Sequence, residues 1–212
     1  MIRPIVKEAE GLEALGLTVE PFHQSLFKGH SDRLAFSNPN DAVFMPPLVQ
    51  WNGTLSGLRT HLAPFGWTKL TDQGYDLVVD ATGKLAIAVS SGDDNTGIDG
   101  LFPPTTKCAK GPRTIDAVQT NAMLMDNLFP ETLPHPSVMH KKGRLTRLLL
   151  FSQRGGVIYS ELSLPSSTDG SKIDSWQERI ILPPMDLGAI PTQPETPDDT
   201  PDVLVDVRRK KL

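Results

Sequence analysis

The strongest hydrophobic pattern in the chain predicts a long helix over residues 112–129. Apolar residues recur there at spacings of three and four, which places them on one helical face; they are Ile115, Val118, Ala122, Met125 and Phe129. Pro112 suits the first helical turn, where its missing N–H has no helical partner, and Pro130 cannot continue the helix. We expect this helix to bury its apolar face against a sheet.

Six shorter segments have patterns typical of β-strands: residues 67–70, 75–80, 84–90, 145–152, 157–164 and 176–182. Segment 84–90 is apolar on both faces, which predicts a central strand. Turn residues at 81–83 and 154–156 predict two hairpins. Residues 165–175 have the composition of a polar loop, and the proline pair at 183–184 is expected to end the last strand.

The first 65 residues predict short helices joined by irregular chain. Glu8–Leu15 and Pro21–Lys28 each precede a glycine that suits a left-handed helix stop. A third helix is predicted to begin at Thr54, a good N-cap residue, with three leucines following on one face. Between them, residues 37–47 are rich in turn-forming residues.

The order of these elements predicts an α+β fold, in which a mostly antiparallel sheet packs on one long helix. We expect a single domain over residues 1–185, with a helical or irregular part at 1–65 and a sheet-and-helix body at 66–185. Residues 186–212 form a Pro-rich acidic linker and a basic tail. Within the tail, the β-prone segment 203–207 is predicted to dock as an added edge strand.

Composition narrows the class of protein further. The chain is 38% hydrophobic and 22% charged, which is ordinary globular usage. Its single cysteine, Cys108, excludes an intramolecular disulfide and fits a reducing compartment. The N-terminus lacks the apolar core of a signal peptide, and apolar runs are too short for a membrane span. These features predict a soluble, cytoplasmic protein without a membrane partner.

Basic charge is concentrated in one part of an otherwise acidic chain. Residues 105–160 carry eight basic and three acidic residues, although the whole chain has a net charge of −4. Such segregation indicates an anionic partner, or pairing with the chain's own acidic residues. The candidate partner-binding residues are Lys107, Lys110, Arg113, Lys141, Lys142, Arg144, Arg147, Arg154, Arg208 and Arg209. Lys107, Lys110 and Arg113 surround the start of the long helix, where backbone N–H groups also favour an anion.

The loop after segment 84–90 contains the only other chemically suggestive motif. Gly92 and Gly97 have the glycine spacing of a phosphate-binding loop, but Ile98 and Asp99 stand where lysine and serine or threonine are needed. Asp93, Asp94, Asn95 and Asp99 supply oxygens for a cation, although not at EF-hand spacing. His135 and His140 do not form a metal-binding pair by spacing. The sequence therefore predicts no metal or cofactor.

Two functions remain open from the sequence. The first is a non-catalytic binding protein that engages a nucleic acid or nucleoprotein through a basic face. This type of protein is common among phage and mobile-element accessory or inhibitor proteins. An acidic protein surface is the alternative partner. The second function is a metal-assisted enzyme acting on a phosphorylated substrate through the Asp93–Asp99 loop.

Overall fold

A computed structural model describes residues 5–188 of the protein, except residues 7, 37 and 127–142. The helices are α1 (Glu8–Glu13), α2 (Glu20–Ala35), α3 (Met45–Leu62) and α4 (Pro112–Asp126), with a 3₁₀ turn at Ala63–Phe65. The strands are β1 (Thr68–Asp72), β2 (Tyr75–Val79), β3 (Leu85–Ser91), β4 (Leu145–Arg154), β5 (Val157–Asp169) and β6 (Lys172–Asp186).

The six strands form one mixed sheet in the order β1-β2-β3-β4-β5-β6. Neighbouring strands pair antiparallel, except that β3 and β4 run parallel. Parallel neighbours need a long crossover connection, and α4 lies within this one. The central position predicted for segment 84–90 is confirmed, because β3 is flanked on both sides and residues 86–90 are buried.

Helices cover both faces of this sheet. On one face, Phe22 and Leu26 of α2 and Leu58 of α3 pack against sheet residues such as Leu149 and Leu162. On the other face, α4 contributes Val118 to a core containing Ala86, Ala88 and Leu148, among others. The α+β class is confirmed. The predicted packing on one long helix is not confirmed, because α2 and α3, with 16 and 18 residues, also pack on the sheet, on the face opposite α4.

Helices α2 and α3 are longer than the sequence predicted, whereas α1 ends two residues before the predicted Leu15. Gly29 does not stop α2; it lies against α3, where an added Cβ would be 2.6 Å from the Gln50 carbonyl oxygen. Helix α3 begins at Met45 because the prolines that follow fall in its first turn, where no N–H is needed. Thr54, predicted as an N-cap, is buried within α3, and its hydroxyl donates to the Gln50 carbonyl at 2.9 Å.

The β5–β6 hairpin is also longer than predicted. Both strands extend into residues 165–175, which were predicted to be a loop, and β6 continues through the proline pair to Asp186. Prolines are tolerated there because β6 is the last strand in the sheet order. Register shifts between Leu164 and Thr168 bend the hairpin. Its far end then packs Ile173 and Trp176 into the same core as α4.

Some predicted features lie outside the described residues. These are the end of the long helix beyond residue 126 and the tail from residue 189, including segment 203–207. Within the described ranges, no helix combines the length and the apolar character needed to cross a bilayer.

The close approach of α2 and α3 predicts that Gly29→Ala destabilises the protein. The new methyl group would clash with the backbone of Gln50, which cannot move aside as a side chain can. This overpacking should lower the free energy of unfolding by about 3 kcal/mol. Higher helix propensity offsets only about 1 kcal/mol. We expect the free energy of unfolding in urea to fall by about 2 kcal/mol. Gly100→Ala is the control, because its nearest contact would be an ordinary 3.7 Å. Equal stability of the two variants would contradict the close packing.

Candidate functional site

A cleft of about 420 Å³ opens at the carboxyl end of the parallel β3–β4 pair. Residues 91–94, at and just beyond the end of β3, and residues 151–153, near the end of β4, line it together. The carboxyl ends of parallel strands meet at one edge of a sheet, and ligands of α/β sheets commonly bind at such edges. This cleft is therefore the candidate functional site.

Helices α2 and α3 form one wall of the cleft. Arg33 donates to the Gln50 side-chain oxygen at 2.8 Å, and the Gln50 amide lies 3.4 Å from the Gln153 side-chain oxygen. Gln50 is only 3% exposed. The indole N–H of Trp51 donates to the Val89 carbonyl at 3.0 Å, which fixes its ring beside β3. These bonds join both helices to the two central strands and make this wall rigid.

The loop that follows β3 forms the opposite wall. Asp93 organises it, because its carboxylate accepts from the backbone N–H of Asn95 and from both the N–H and the hydroxyl of Thr105, each at 3.0 Å. The Gly92 N–H donates to the Phe151 carbonyl at 2.9 Å, and the Lys107 N–H donates to Ser91 at 3.0 Å. The loop therefore leaves the sheet and returns to it beside the same strand ends.

A buried ion pair holds the middle of this loop. Arg179 on β6 donates to both carboxylate oxygens of Glu161 on β5, at 3.1 and 2.6 Å. The Gly97 N–H donates to Glu161 at 2.9 Å, and Arg179 also donates to the Ile98 carbonyl at 3.0 Å. Gly97 has φ of +69°, and an added Cβ would be 2.8 Å from the Ser160 nitrogen. Only glycine fits this contact.

The bent end of the β5–β6 hairpin holds the returning half of the loop. The Trp176 indole donates to the Pro104 carbonyl at 2.8 Å, and Thr106 exchanges hydrogen bonds with the backbone of Ile173. The Lys110 N–H donates to the Ser171 carbonyl at 2.7 Å. These contacts bring Lys172, the first residue of β6, to the cleft.

Three cationic side chains from three separate elements line the cleft: Arg33 from α2, Lys107 from the loop and Lys172 from β6. No described residue forms a hydrogen bond or an ion pair with the side-chain ammonium of Lys107 or Lys172. Asp93 and Asp94 also line it, but the Asp93 carboxylate already accepts three hydrogen bonds. The arrangement leaves two lysines available to an anion.

The start of α4 does not gather its basic residues into one site. Of the three predicted there, Lys107 lines the cleft. Lys110 donates to the Ser90 hydroxyl at 2.6 Å, and burial lowers the pKa of its ammonium. Arg113 pairs with Asp116 at 3.6 Å and donates to Gln73 in the β1–β2 turn. Lys110 and Arg113 therefore have bonding partners within the fold.

The predicted residues on and near β4 have internal partners as well. Arg144 donates to the Gly83 carbonyl at 3.1 Å, and the 6% exposed Arg147 pairs with Glu178 at 2.8 Å. Arg154 donates to the Thr96 carbonyl at 3.1 Å and lies 3.9 Å above the Tyr159 ring. Because Arg144 contacts the turn before β3 and Lys107 contacts its last residue, these two lie at opposite ends of that strand. The structure does not bring them together.

The other four predicted residues, Lys141, Lys142, Arg208 and Arg209, lie outside the described residues, as do His135 and His140. Three residues of the cleft were missed from the sequence: Arg33, Gln50 and Lys172. None of the three lies in a charge cluster or a recognisable motif of the sequence, so no local pattern identifies it. Only the sheet topology and the bend of the hairpin bring them to one cleft.

The acidic loop offers a limited set of oxygens to a cation. Asp93 is engaged as described, whereas Asp94 and Asp99 are exposed to solvent. Among the described residues, no group of three or more histidine, cysteine or acidic side chains is placed to hold a metal ion.

Comparisons of the chain with models of protein families, with curated proteins and with solved structures gave no match.

The buried ion pair predicts that Arg179→Met strongly destabilises the protein. Glu161 would be left at 0% exposure without its main partner, and breaking such a pair costs about 3–5 kcal/mol. The measurement is urea unfolding at neutral pH. Arg113→Met, which removes an exposed pair, should cost at most about 1 kcal/mol. Adding Glu161→Leu to Arg179→Met should recover part of the lost stability, because the Gly97 N–H and the Ser163 hydroxyl still lose their acceptor. Equal losses in the two single variants would contradict this assignment.

Proposed function

We propose that this chain is a non-catalytic binding protein that holds the phosphate backbone of a nucleic acid at the cleft beside β3 and β4. The single observation that supports it is the approach of Arg33, Lys107 and Lys172 to one cleft from three separate elements. Asp93 and Asp94 also line the cleft, so its net charge is positive by one, and this excess favours a bound anion. Of the ten partner-binding residues predicted from the sequence, Lys107 is the one among the described residues that belongs to this contact surface.

Phosphate suits these three side chains by geometry as well as by charge. Arginine presents a planar fork that matches two phosphate oxygens, and lysine ammonium groups act as mobile point charges. Lys107 and Lys172 are exposed, so each can reach outward to a backbone that passes the cleft. Contacts of this type position a nucleic acid without reading its sequence. The protein is therefore expected to bind in a sequence-tolerant way.

The alternative, a metal-assisted enzyme using the Asp93–Asp99 loop, has weaker support. Asp93 would be its central ligand, yet the carboxylate of Asp93 accepts bonds from Asn95 and Thr105 that shape the loop itself. A structural role for Asp93 accounts for these contacts without chemistry. An accessory or inhibitor protein of a phage or mobile element, acting in the cytoplasm on nucleic acid or nucleoprotein, is the biological setting that we propose.

The first test is the salt dependence of binding to short oligonucleotides, followed by fluorescence anisotropy. Three phosphate contacts predict a slope of log affinity against log salt of about −2 for single strands and about −2.7 for duplex. Affinity should therefore fall roughly 20- to 40-fold between about 50 and 200 mM salt. Lys107→Ala and Lys172→Ala should each weaken binding and reduce the slope by about 0.7–0.9.

Lys84→Ala is the matched control. Lys84 is also an exposed lysine, but it precedes β3 at the end of the strand opposite the cleft, so its loss should leave the slope unchanged. An equal effect of all three substitutions would indicate diffuse attraction and contradict the cleft as the site. If oligonucleotides do not bind at all but an acidic protein does, the partner assignment is wrong.

A further inference from the structure

The tip of the α2–α3 hairpin exposes an unusual amount of apolar surface. Five large residues there have exposed side chains: Leu34, Phe36, Val43, Phe44 and Leu48, which we call the apolar tip. Their exposed fractions run from 47% for Leu48 to 94% for Val43. Scattered apolar residues on a surface need no explanation, but a cluster of them marks a site of interaction. No described residue covers these five.

The contacts between the two helices place these residues at the same end of the hairpin. Gly57 lies against Ser25 and Gly53 against Gly29, and Arg33 bonds to Gln50. Continuing this antiparallel register brings Phe36 level with the first turn of α3, whose N-cap residue is Phe44. The same register explains why the tip adjoins the cleft. Arg33 precedes Phe36 by three residues and Pro47 follows Phe44 by three, and both Arg33 and Pro47 line the cleft.

Exposed aromatic rings beside a cationic cleft have the composition of a surface for unpaired nucleic acid. Proteins that hold single strands combine cations that follow the backbone with aromatic side chains on which successive bases stack. A duplex buries the faces of its bases in its own stack, so it offers the rings nothing to stack on. The charge of the adjoining cleft distinguishes this occupant from a purely apolar partner.

We propose that the apolar tip binds the bases of single-stranded nucleic acid whose phosphates lie at Arg33, Lys107 and Lys172. This inference rests on the proposed function, because the cleft cations are the phosphate contacts in both. Phe36 and Phe44 provide the stacking surfaces. The half-buried Trp51, whose indole N–H donates to the Val89 carbonyl, lines the cleft beside the strand ends. Preference for unpaired over duplex nucleic acid follows from this arrangement.

The test compares a labelled oligothymidylate of about 12 nucleotides, within the range that single-strand binding proteins cover, with a duplex of the same length. The full-length chain should bind the single strand more tightly. Phe36→Ala and Phe44→Ala should each weaken single-strand binding about 5- to 150-fold, the range measured for one stacked base. Neither should change the affinity for duplex. Both residues are exposed, so circular dichroism is expected to show an intact fold.

Phe65→Ala is the matched control, since Phe65 is 58% exposed but lies beyond the far end of α3. It should have no effect on either affinity. If the Phe36 and Phe44 variants bind the single strand normally while Lys107→Ala weakens it, the tip does not hold bases, although the cleft still binds phosphate. If sedimentation shows that these variants instead abolish self-association, with single-strand affinity unchanged, the tip is an interface between copies. Failure to bind either oligonucleotide overturns both proposals.

Discussion

The buried ion pair between Glu161 and Arg179 is the interaction on which the candidate site depends. A carboxylate without access to water needs several donors, and Glu161 obtains them from Arg179, from the Ser163 hydroxyl at 2.7 Å and from the Gly97 N–H. The last of these donors belongs to the loop after β3. Because the buried carboxylate needs this donor, its hydrogen bond to Gly97 holds the loop against the sheet. The loop forms one wall of the cleft, so the position of that wall depends on the ion pair.

The sheet topology then decides where the charges meet. A parallel β3–β4 pair within an otherwise antiparallel sheet has two carboxyl ends side by side, which opens a space between the loop and the N-terminal helices. The bend of the β5–β6 hairpin brings Lys172 to this space from a distant part of the chain. The cleft therefore combines one cation held by Gln50 with two that reach into solvent, and the exposed aromatic rings of the hairpin tip adjoin it.

Much of the fold could be predicted from the sequence because its signals are local. The stripe through Val118 predicts α4, and the apolar faces of segment 84–90 predict a central strand. The prediction that Gly29 ends α2 was wrong, because glycine occurs both at helix C-termini and at close contacts between helices. Only the position of the partner helix distinguishes these two roles. The site was harder to predict. Lys107 was identified from the segregation of charge along the chain, whereas Arg33 and Lys172 reach the cleft only through tertiary contacts. Arg147 was predicted to bind a partner, but it forms an ion pair with Glu178.

Taken together, the contacts describe a rigid cleft whose available cations lie at one end of the sheet, and the central claim is that an anionic strand binds at that end. Backbone amide chemical shifts during titration with an oligonucleotide test this claim residue by residue. We expect shifts that concentrate at Arg33, Lys107 and Lys172, with little change at Lys84 and Arg144 at the opposite end of β3. Shifts concentrated at Lys84 and Arg144, or spread evenly over the basic residues, would contradict it.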